Sequence, residues 1–241
     1  MTTVTSGTPF KVSLSMATPF SLPSRLTLDG LLASAVFTET GLTHEDNDAR
    51  IPLDSQDGIF RASSIFFSGR HDVPRGKGDT KVVRVGGLLT PLDLEHPAIG
   101  LGQRGGPKSD DFKEIFMTRY TPMRALDPVV FFGCGDPERV QFLLEHFIIG
   151  LGSGHTRGYG AIARVEVTPE SEDLSWVLED GSPARPVPVE LWQTLDGVNP
   201  VEQCVRSQHA VRNPYWQTPR VACVLPERWS LEPLAAFPKA A

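Results

Sequence analysis

The chain has 241 residues, 40% hydrophobic and 22% charged, an ordinary globular composition that can bury a real core in one large domain or two small ones. Its formal net charge of −6 is the wrong sign for a free-standing nucleic-acid binder. Three well-separated cysteines (Cys134, Cys204, Cys223) with no C-x-x-C pair argue against a disulfide framework or a zinc site and for a reducing cytosol, and no stretch approaches the roughly 18 apolar residues of a membrane span.

In chain order, Phe10, Val12, Leu14 and Met16 alternate with Lys11, Ser13 and Ser15, the period of a strand with one buried face. Leu28, Leu31, Leu32, Ala35 and Val36 then fall at i, i+3, i+4, i+7 and i+8. That is one face of a helix, with Thr27 as its N-cap and Gly41 as its stop. Residues 43–57 are acidic and polar and read as a loop. Residues 59–68, rich in Ile and Phe, read as a strand, and 81–89 as another. Between them, residues 69–80 carry three glycines with Arg70, His71, Arg75 and Lys77. Residues 94–111 are again glycine-rich, with Arg104 and Lys108. Residues 112–124 and 127–132 read as extended segments broken near Pro122 and Pro128.

The clearest stretch comes next. Asp136-Pro137 is a helix start with proline at the first helical position, and Val140, Leu143, Leu144, Phe147 and Ile148 repeat the helical face. This helix ends at a glycine cluster that runs from Gly150 to Gly160, and a strand over residues 161–167 follows. Beyond residue 170 the signal weakens, with further strands read at 183–195 and 221–225. The order strand, helix, strands, then helix, glycine loop, strand predicts an α+β, ferredoxin-like sheet with helices on one face and an irregular insertion between its halves. The expected organisation is a core over 9–170 with the insertion at about 69–111, a C-terminal extension over 171–230 packed on it, and a disordered tail over 231–241.

The charge is uneven. Residues 61–124 hold 11 Lys/Arg against 7 Asp/Glu, while the rest of the chain holds 12 against 22. Fields are local over about 8 Å at physiological salt, so a basic segment in an acidic protein can face phosphates. The plainer reading of that segment is a solvated basic loop.

The glycine cluster is not a nucleotide-binding fingerprint. No Gly-Lys-Ser/Thr occurs, and G-x-G-x-x-G fails because its third glycine position falls on His155 or Arg157. The order fails too, since the helix precedes the loop. Bare glycine amides can instead form a nest for phosphate oxygens, Arg157 adds a bidentate partner, and His155 and Tyr159 offer faces for unpaired bases. A simple helix-to-strand connection needs only one or two glycines, so the loop is read as a single-stranded RNA contact made by Gly152, Ser153, Gly154, His155, Thr156, Arg157, Gly158 and Tyr159.

Gly152-Ser-Gly154-His-Thr-Arg157-Gly158-Tyr159-Gly160, followed by Ala161-Ile-Ala-Arg-Val, resembles the hallmark glycine-rich loop of the RAMP superfamily of CRISPR-associated proteins. The opening at residues 10–16, Leu28-Asp29-Gly30-Leu31-Leu32-Ala33, and Ala62-Ser63-Ser64 are similar to one branch, the handle-binding subunit of type IV CRISPR effector complexes. The resemblance covers roughly residues 10–167. It implies a ferredoxin-like (RRM-like) RAMP fold with a thumb-like insertion. It also implies a cytoplasmic RNA-binding role in antiviral defence: a subunit that holds the 5′ repeat-derived handle of the CRISPR RNA and caps the backbone filament. Its partners would be CRISPR RNA, the backbone and large subunits and, in the assembled ribonucleoprotein, target DNA. No cofactor and no metal are implied. Arg70, His71, Arg75, Lys77, Lys81, Arg104 and Lys108 would reach along the RNA, with phosphate contacts giving affinity and stacking giving orientation.

Some relatives cleave repeat RNA without metal, which needs a base for the 2′-hydroxyl and an acid for the leaving oxygen, a task suited to histidine. His44 and His155 are the candidates for that alternative. His44 precedes an acidic run that repels phosphate, and no second acid/base residue lies near His155 in sequence. His96, His146 and His209 read as structural, and Asp110, Asp111 and the 44–48 run as solvated. The expectation is therefore a non-catalytic RNA-binding subunit. The alternatives are a metal-independent repeat-processing endoribonuclease of the same fold and a purely structural scaffold.

Overall fold

In the computed structural model, the described residues are 7–18, 20, 26–42, 44–68, 80–85, 115–120, 128–152, 160–227 and 231, with backbone alone for 44–45, 80–85 and 115–120. The chain divides into two compact units, one made of residues 1–72 and 124–241 and one of residues 73–123. The architecture is α+β with antiparallel sheets.

In the larger unit, β1 (Thr8–Met16) sits between β7 (Val129–Gly135) and β8 (Ile162–Pro169), and the short β4 (Phe66–Phe67) pairs with the far side of β7. The order is β4-β7-β1-β8, and every pairing is antiparallel. The chain passes from β1 through helix α1 (Leu28–Thr40) to β4, skipping β7. It passes from β7 through helix α3 (Pro137–Phe147) to β8, skipping β1. Two interleaved crossovers thus build one sheet.

The period-two pattern of β1 decides which face is buried. Phe10, Val12, Leu14 and Met16 are enclosed, and register brings Val129 and Phe131 of β7 and Val165 and Val167 of β8 onto the same face. Leu28, Leu32, Ala35 and Val36 of α1 and Val140, Leu143 and Leu144 of α3 close over it as the main core. Gly133 lies opposite Phe10, where a Cβ would come within 2.7 Å of the Phe10 ring, so the ring occupies the space of the missing side chain. α1 ends as the sequence predicts. Gly41 takes φ 66°, and its N–H donates to Phe37 O at 2.8 Å. Thr27 precedes the helix in extended backbone but makes no capping bond; its hydroxyl serves another partner described below. α3 starts as predicted, with Arg139 N donating to Asp136 Oδ1 at 3.0 Å and Pro137 at the first helical position.

Three expectations need correction. The acidic stretch read as a loop contains a helical turn, α2 (His44–Asn47), followed by a 3₁₀ turn, Asp48–Arg50. Asn47 explains it: its buried amide donates to Leu42 O at 2.9 Å and accepts from Thr40 Oγ1 at 3.0 Å, which winds the chain back onto the end of α1. The single strand read at 59–68 is two: β3 (Ile59–Phe60), which hairpins with β2 (Ser55–Gln56), and β4. Between them Ser63 leaves the ladder to accept from Phe132 N at 2.8 Å through its side chain. The segment read as strand at 183–195 holds only β9 (Val187–Pro188) before turning into helix α4 (Val189–Trp192), because Pro186 and Pro188 cannot donate to a ladder.

The C-terminal part packs on the opposite sheet face at β4 and β7, where Leu178 and Ala184 meet Phe66, Val130 and Phe132. Its own three-stranded sheet, β10 (Val205–His209), β11 (Val221–Leu225) and β9, packs Val187, Cys223 and Val224 with Trp176 and Trp192. The predicted strand at 221–225 is β11. The smaller unit holds β5 (Thr80–Val85) and β6 (Ile115–Tyr120), an antiparallel pair with Thr80 opposite Tyr120 and Val85 opposite Ile115. Among the described residues no helix is long and apolar enough to cross a membrane.

Candidate functional site

The glycine loop leaves the sheet through a closed neck. After α3, Gly150 bridges Ala161, and Leu151 N donates to Gly160 O at 2.8 Å. Gly152 and Gly160 both take left-handed backbone, with φ 78° and 70°. At Gly160 glycine is required twice over, since a Cβ there would come within 2.0 Å of Leu151 O. The neck is tied to the end of β1: Ala17 N donates to Ala161 O at 2.8 Å, and Ala161 N donates to Thr18 Oγ1 at 2.9 Å. Backbone hydrogen bonds therefore hold both ends of the loop where β1, α3 and β8 meet.

Of the predicted contact residues, Gly152 is placed at this neck. Ser153, Gly154, His155, Thr156, Arg157, Gly158 and Tyr159 lie outside the described residues, as do Arg70, His71, Arg75, Lys77, Arg104 and Lys108. Lys81 is in β5 opposite Arg119. His44, the alternative acid/base residue, begins α2. His146 sits on α3, with its ring stacked on Phe142 at 4.4 Å and Nδ1 placed 2.9 Å from Phe142 O. His209 lies on β10, where burial and then the Arg220 charge lower its pKa.

Beside the neck, the sheet face away from the helices carries the polar residues of β1 and β8. Register sets Ser15 opposite Arg164, Ser13 opposite Glu166 and Lys11 opposite Thr168. Arg164 pairs with Glu166 at 2.6 Å and Lys11 with Glu170 at 3.2 Å. This strip offers hydroxyls and locally neutralised charge, so phosphate affinity has to come from elsewhere on the chain.

A buried polar network fixes the elements that carry this site. Arg185 and Asp29 are both essentially inaccessible, with Arg185 Nη1 3.5 Å from Asp29 Oδ1. Arg185 also donates to Phe60 O at 2.8 Å, Ala62 O at 3.2 Å, Val211 O at 3.3 Å and Tyr215 Oη at 2.9 Å. Tyr215 in turn donates to Asp29 Oδ2, and its oxygen lies 3.2 Å from Thr27 Oγ1. Burial alone would lower the Arg185 pKa, but the neighbouring Asp29 and Tyr215 outweigh it and hold it above the ordinary arginine value. Burial, with the Asp29 charge assisting against Arg185, pushes the Tyr215 phenol well above its usual range.

The same place joins two stretches that the sequence singles out separately. Leu28 N donates to Ser63 O at 3.0 Å, Thr27 bridges Ser64, and Ser64 N donates to Ala184 O at 2.8 Å. Leu28-Asp29-Gly30 and Ala62-Ser63-Ser64 are thus two sides of one buried junction with the C-terminal part. Sequence reading missed Asp29, Arg185 and Tyr215 as partners. The available signal was an arginine within the otherwise apolar run 183–189, a residue rarely buried unless paired.

The thiols are inert by comparison. Cys134 donates to Gly7 O at 3.3 Å, and burial, then the Asp173 and Asp54 charges, push it up to about 12. Among the described residues no group of three or more His, Cys, Asp or Glu side chains is arranged to hold a metal ion.

Residues 113–226 match the model of a family described as CRISPR type IV associated protein Csf3. The span takes in β6, β7, α3, the glycine loop and the C-terminal part through β11, including Arg185 and Tyr215. It bears out the resemblance to type IV CRISPR-associated subunits, and does so largely outside the N-terminal residues that suggested the branch. No curated protein matches the chain.

Proposed function

We infer, taking the match of residues 113–226 to a type IV CRISPR-associated family as the premise, that this chain is a non-catalytic subunit of a type IV effector ribonucleoprotein that holds the 5′ repeat-derived handle of the CRISPR RNA. The observation that carries the reading is the glycine-loop neck inside the matched span. A segment with five glycines is closed at its neck, where Leu151 N donates to Gly160 O and Gly150 bridges Ala161, and Ala161 is tied to Ala17 and to the Thr18 hydroxyl just past β1; the segment bears one arginine and two ring side chains. Such a loop presents amides and Arg157 to phosphates, and Tyr159 or His155 to splayed bases.

The strand order β4-β7-β1-β8 with two crossovers supports a ferredoxin-like RAMP core, in which this loop joins the last helix to the last strand. In this reading the chain caps a filament of backbone subunits, and its net charge of −6 is tolerated because neighbouring subunits share the RNA. Target DNA binding belongs to the assembled complex. The basic residues between 70 and 108 supply further phosphate contacts.

Photo-crosslinking of the co-expressed complex on a repeat-derived RNA tests the reading. Crosslinked peptides from 150–160 that disappear with Tyr159→Ala and His155→Ala support it. Crosslinks confined to the other subunits would make this chain a scaffold instead.

A further inference from the structure

The described structure contains a basic surface apart from the basic segment at 61–124. Residues 203–226 include Arg206, Arg212 and Arg220 and not one Asp or Glu, in a chain with 29 acidic residues. This acid-free run forms the β10–β11 hairpin and its connecting loop. All five residues of β10 are exposed, and so are Arg212 and Arg220. Among the described residues none of the three arginines has an ion pair.

An open groove of about 1130 Å³ lies against this hairpin. Arg206, Ser207 and Gln208 line one part of it and Arg212 and Thr218 another, with Glu190 as its one carboxylate. Arg212 lies across the Asp57-Gly58 turn, so close that a Cβ at Gly58 would come within 3.3 Å of its Nε. The base of the loop is held by the buried junction, through Val211 O and Tyr215. The arginines therefore project from a fixed platform.

We propose that this groove is a second nucleic-acid site, in which Arg206 and Arg212 bind the phosphodiester backbone and Ser207, Gln208 and Thr218 add neutral hydrogen bonds. Charge complementarity selects the occupant. Two exposed guanidiniums without an ion pair among the described residues, on a groove of mixed polar and apolar lining, match a polyanion, and guanidinium is the group best shaped for phosphate. The site is separate from the glycine loop. The loop's neck is at Ala17 and Thr18, just past the Met16 end of β1. The groove adjoins Ile59, near where Ala62 bridges Gly133 and Gly135 faces Thr8. At a rise of about 3.3 Å per residue, the two ends of β1 are roughly 26 Å apart, with the neck past one end and the 59–62 segment beside the other. A strand leaving the loop would be met again at the other end of the sheet, so the inference rests on the RNA-handling reading for its ligand but not for its residues.

The test uses the full chain in fluorescence anisotropy against three probes: repeat-derived RNA, mixed-sequence single-stranded RNA of equal length, and duplex DNA, each over a salt series. Arg206→Glu with Arg212→Glu should weaken RNA binding roughly tenfold or more. The neutral pair Arg206→Gln with Arg212→Gln should flatten the dependence of log K on log salt by about 1.4, two phosphates at about 0.7 each. Glu190→Gln should tighten binding. Circular dichroism melts of the neutral pair should stay within a few degrees of the parent, since both side chains are exposed. The duplex arm separates a site for RNA from one for target DNA.

Unchanged affinity and salt slope on all three probes, with Arg157→Ala still losing the repeat RNA, would overturn the groove and leave the handle reading standing. Binding that depends on Arg206 and Arg212 but ignores the repeat sequence and Arg157 would keep the groove and overturn the handle reading. No binding of any probe by the parent chain would overturn the groove.

Discussion

Arg185→Met is the most informative change to the fold, because one side chain joins α1, the 60–62 segment and the C-terminal part. The guanidinium is buried and makes four donations, at 2.8, 2.9, 3.2 and 3.3 Å, beside the Asp29 carboxylate at 3.5 Å. Methionine fills similar volume but leaves Asp29 as a buried charge, with only Tyr215 donating to it. Removing one partner of a buried pair costs about 3–5 kcal/mol, a large share of a total stability of about 5–15 kcal/mol. At about 2–4 °C per kcal/mol for a chain of this size, the melting temperature should fall by about 6–20 °C. Paired with Asp29→Asn, the loss should be smaller than the sum of the two single losses by about 1–3 kcal/mol, since the second change removes the stranded charge. Urea titration of the two single variants and the double variant, followed by circular dichroism, measures the cycle. A loss below about 1 kcal/mol for Arg185→Met, or strict additivity, would refute the claim that this pair holds the junction.

Three further outcomes follow from the geometry. Gly160→Ala forces a left-handed alanine against Leu151 O, at a cost of about 1–3 kcal/mol for the backbone alone, and it should weaken repeat-RNA binding in a gel shift by opening the loop's neck. Asp136→Ala removes the cap at Arg139 N and should cost about 1 kcal/mol in thermal melts without affecting RNA binding. Above pH 9 the unfolded chain releases the Cys134 proton, while the folded chain keeps it until about pH 12. Stability should therefore fall as pH rises through that window, and urea midpoints of Cys134→Ser should show a shallower fall.

What the sequence made legible was whatever local periodicity encodes. β1 and α3 each bury one apolar face, α1 repeats apolar residues at helical spacing although it is buried on more than one side, and the helix ends carry residues with a stereochemical job, Gly41 and Asp136-Pro137. The turn-out after α3 was legible because the glycines at 150, 152 and 160 fit no regular element, and Gly152 and Gly160 take left-handed backbone there. The strand read through 59–68 failed because Ser63, with its side chain standing in for a ladder partner, is indistinguishable in sequence from a strand serine. α2 was missed because its cause is the amide of Asn47 bonding backward to Thr40 and Leu42, which outweighs the polarity of the run.

The buried junction was invisible for a different reason. Asp29 and Tyr215 are 186 residues apart, and no local pattern encodes such a pairing. Charge counting over broad windows also hid the acid-free run 203–226, whose three arginines are diluted by the acidic residues on either side.

The proposed role has this chain hold CRISPR RNA without cutting it. The most direct measurement is a denaturing gel and a native gel run in parallel on one labelled repeat RNA. The protein is present alone and with its co-expressed partners, in metal-free buffer. The proposed role requires a native shift that Arg157→Ala reduces, over intact RNA on the denaturing gel. A discrete cut that His155→Ala or His44→Ala abolishes would contradict it and make the chain a repeat-processing nuclease.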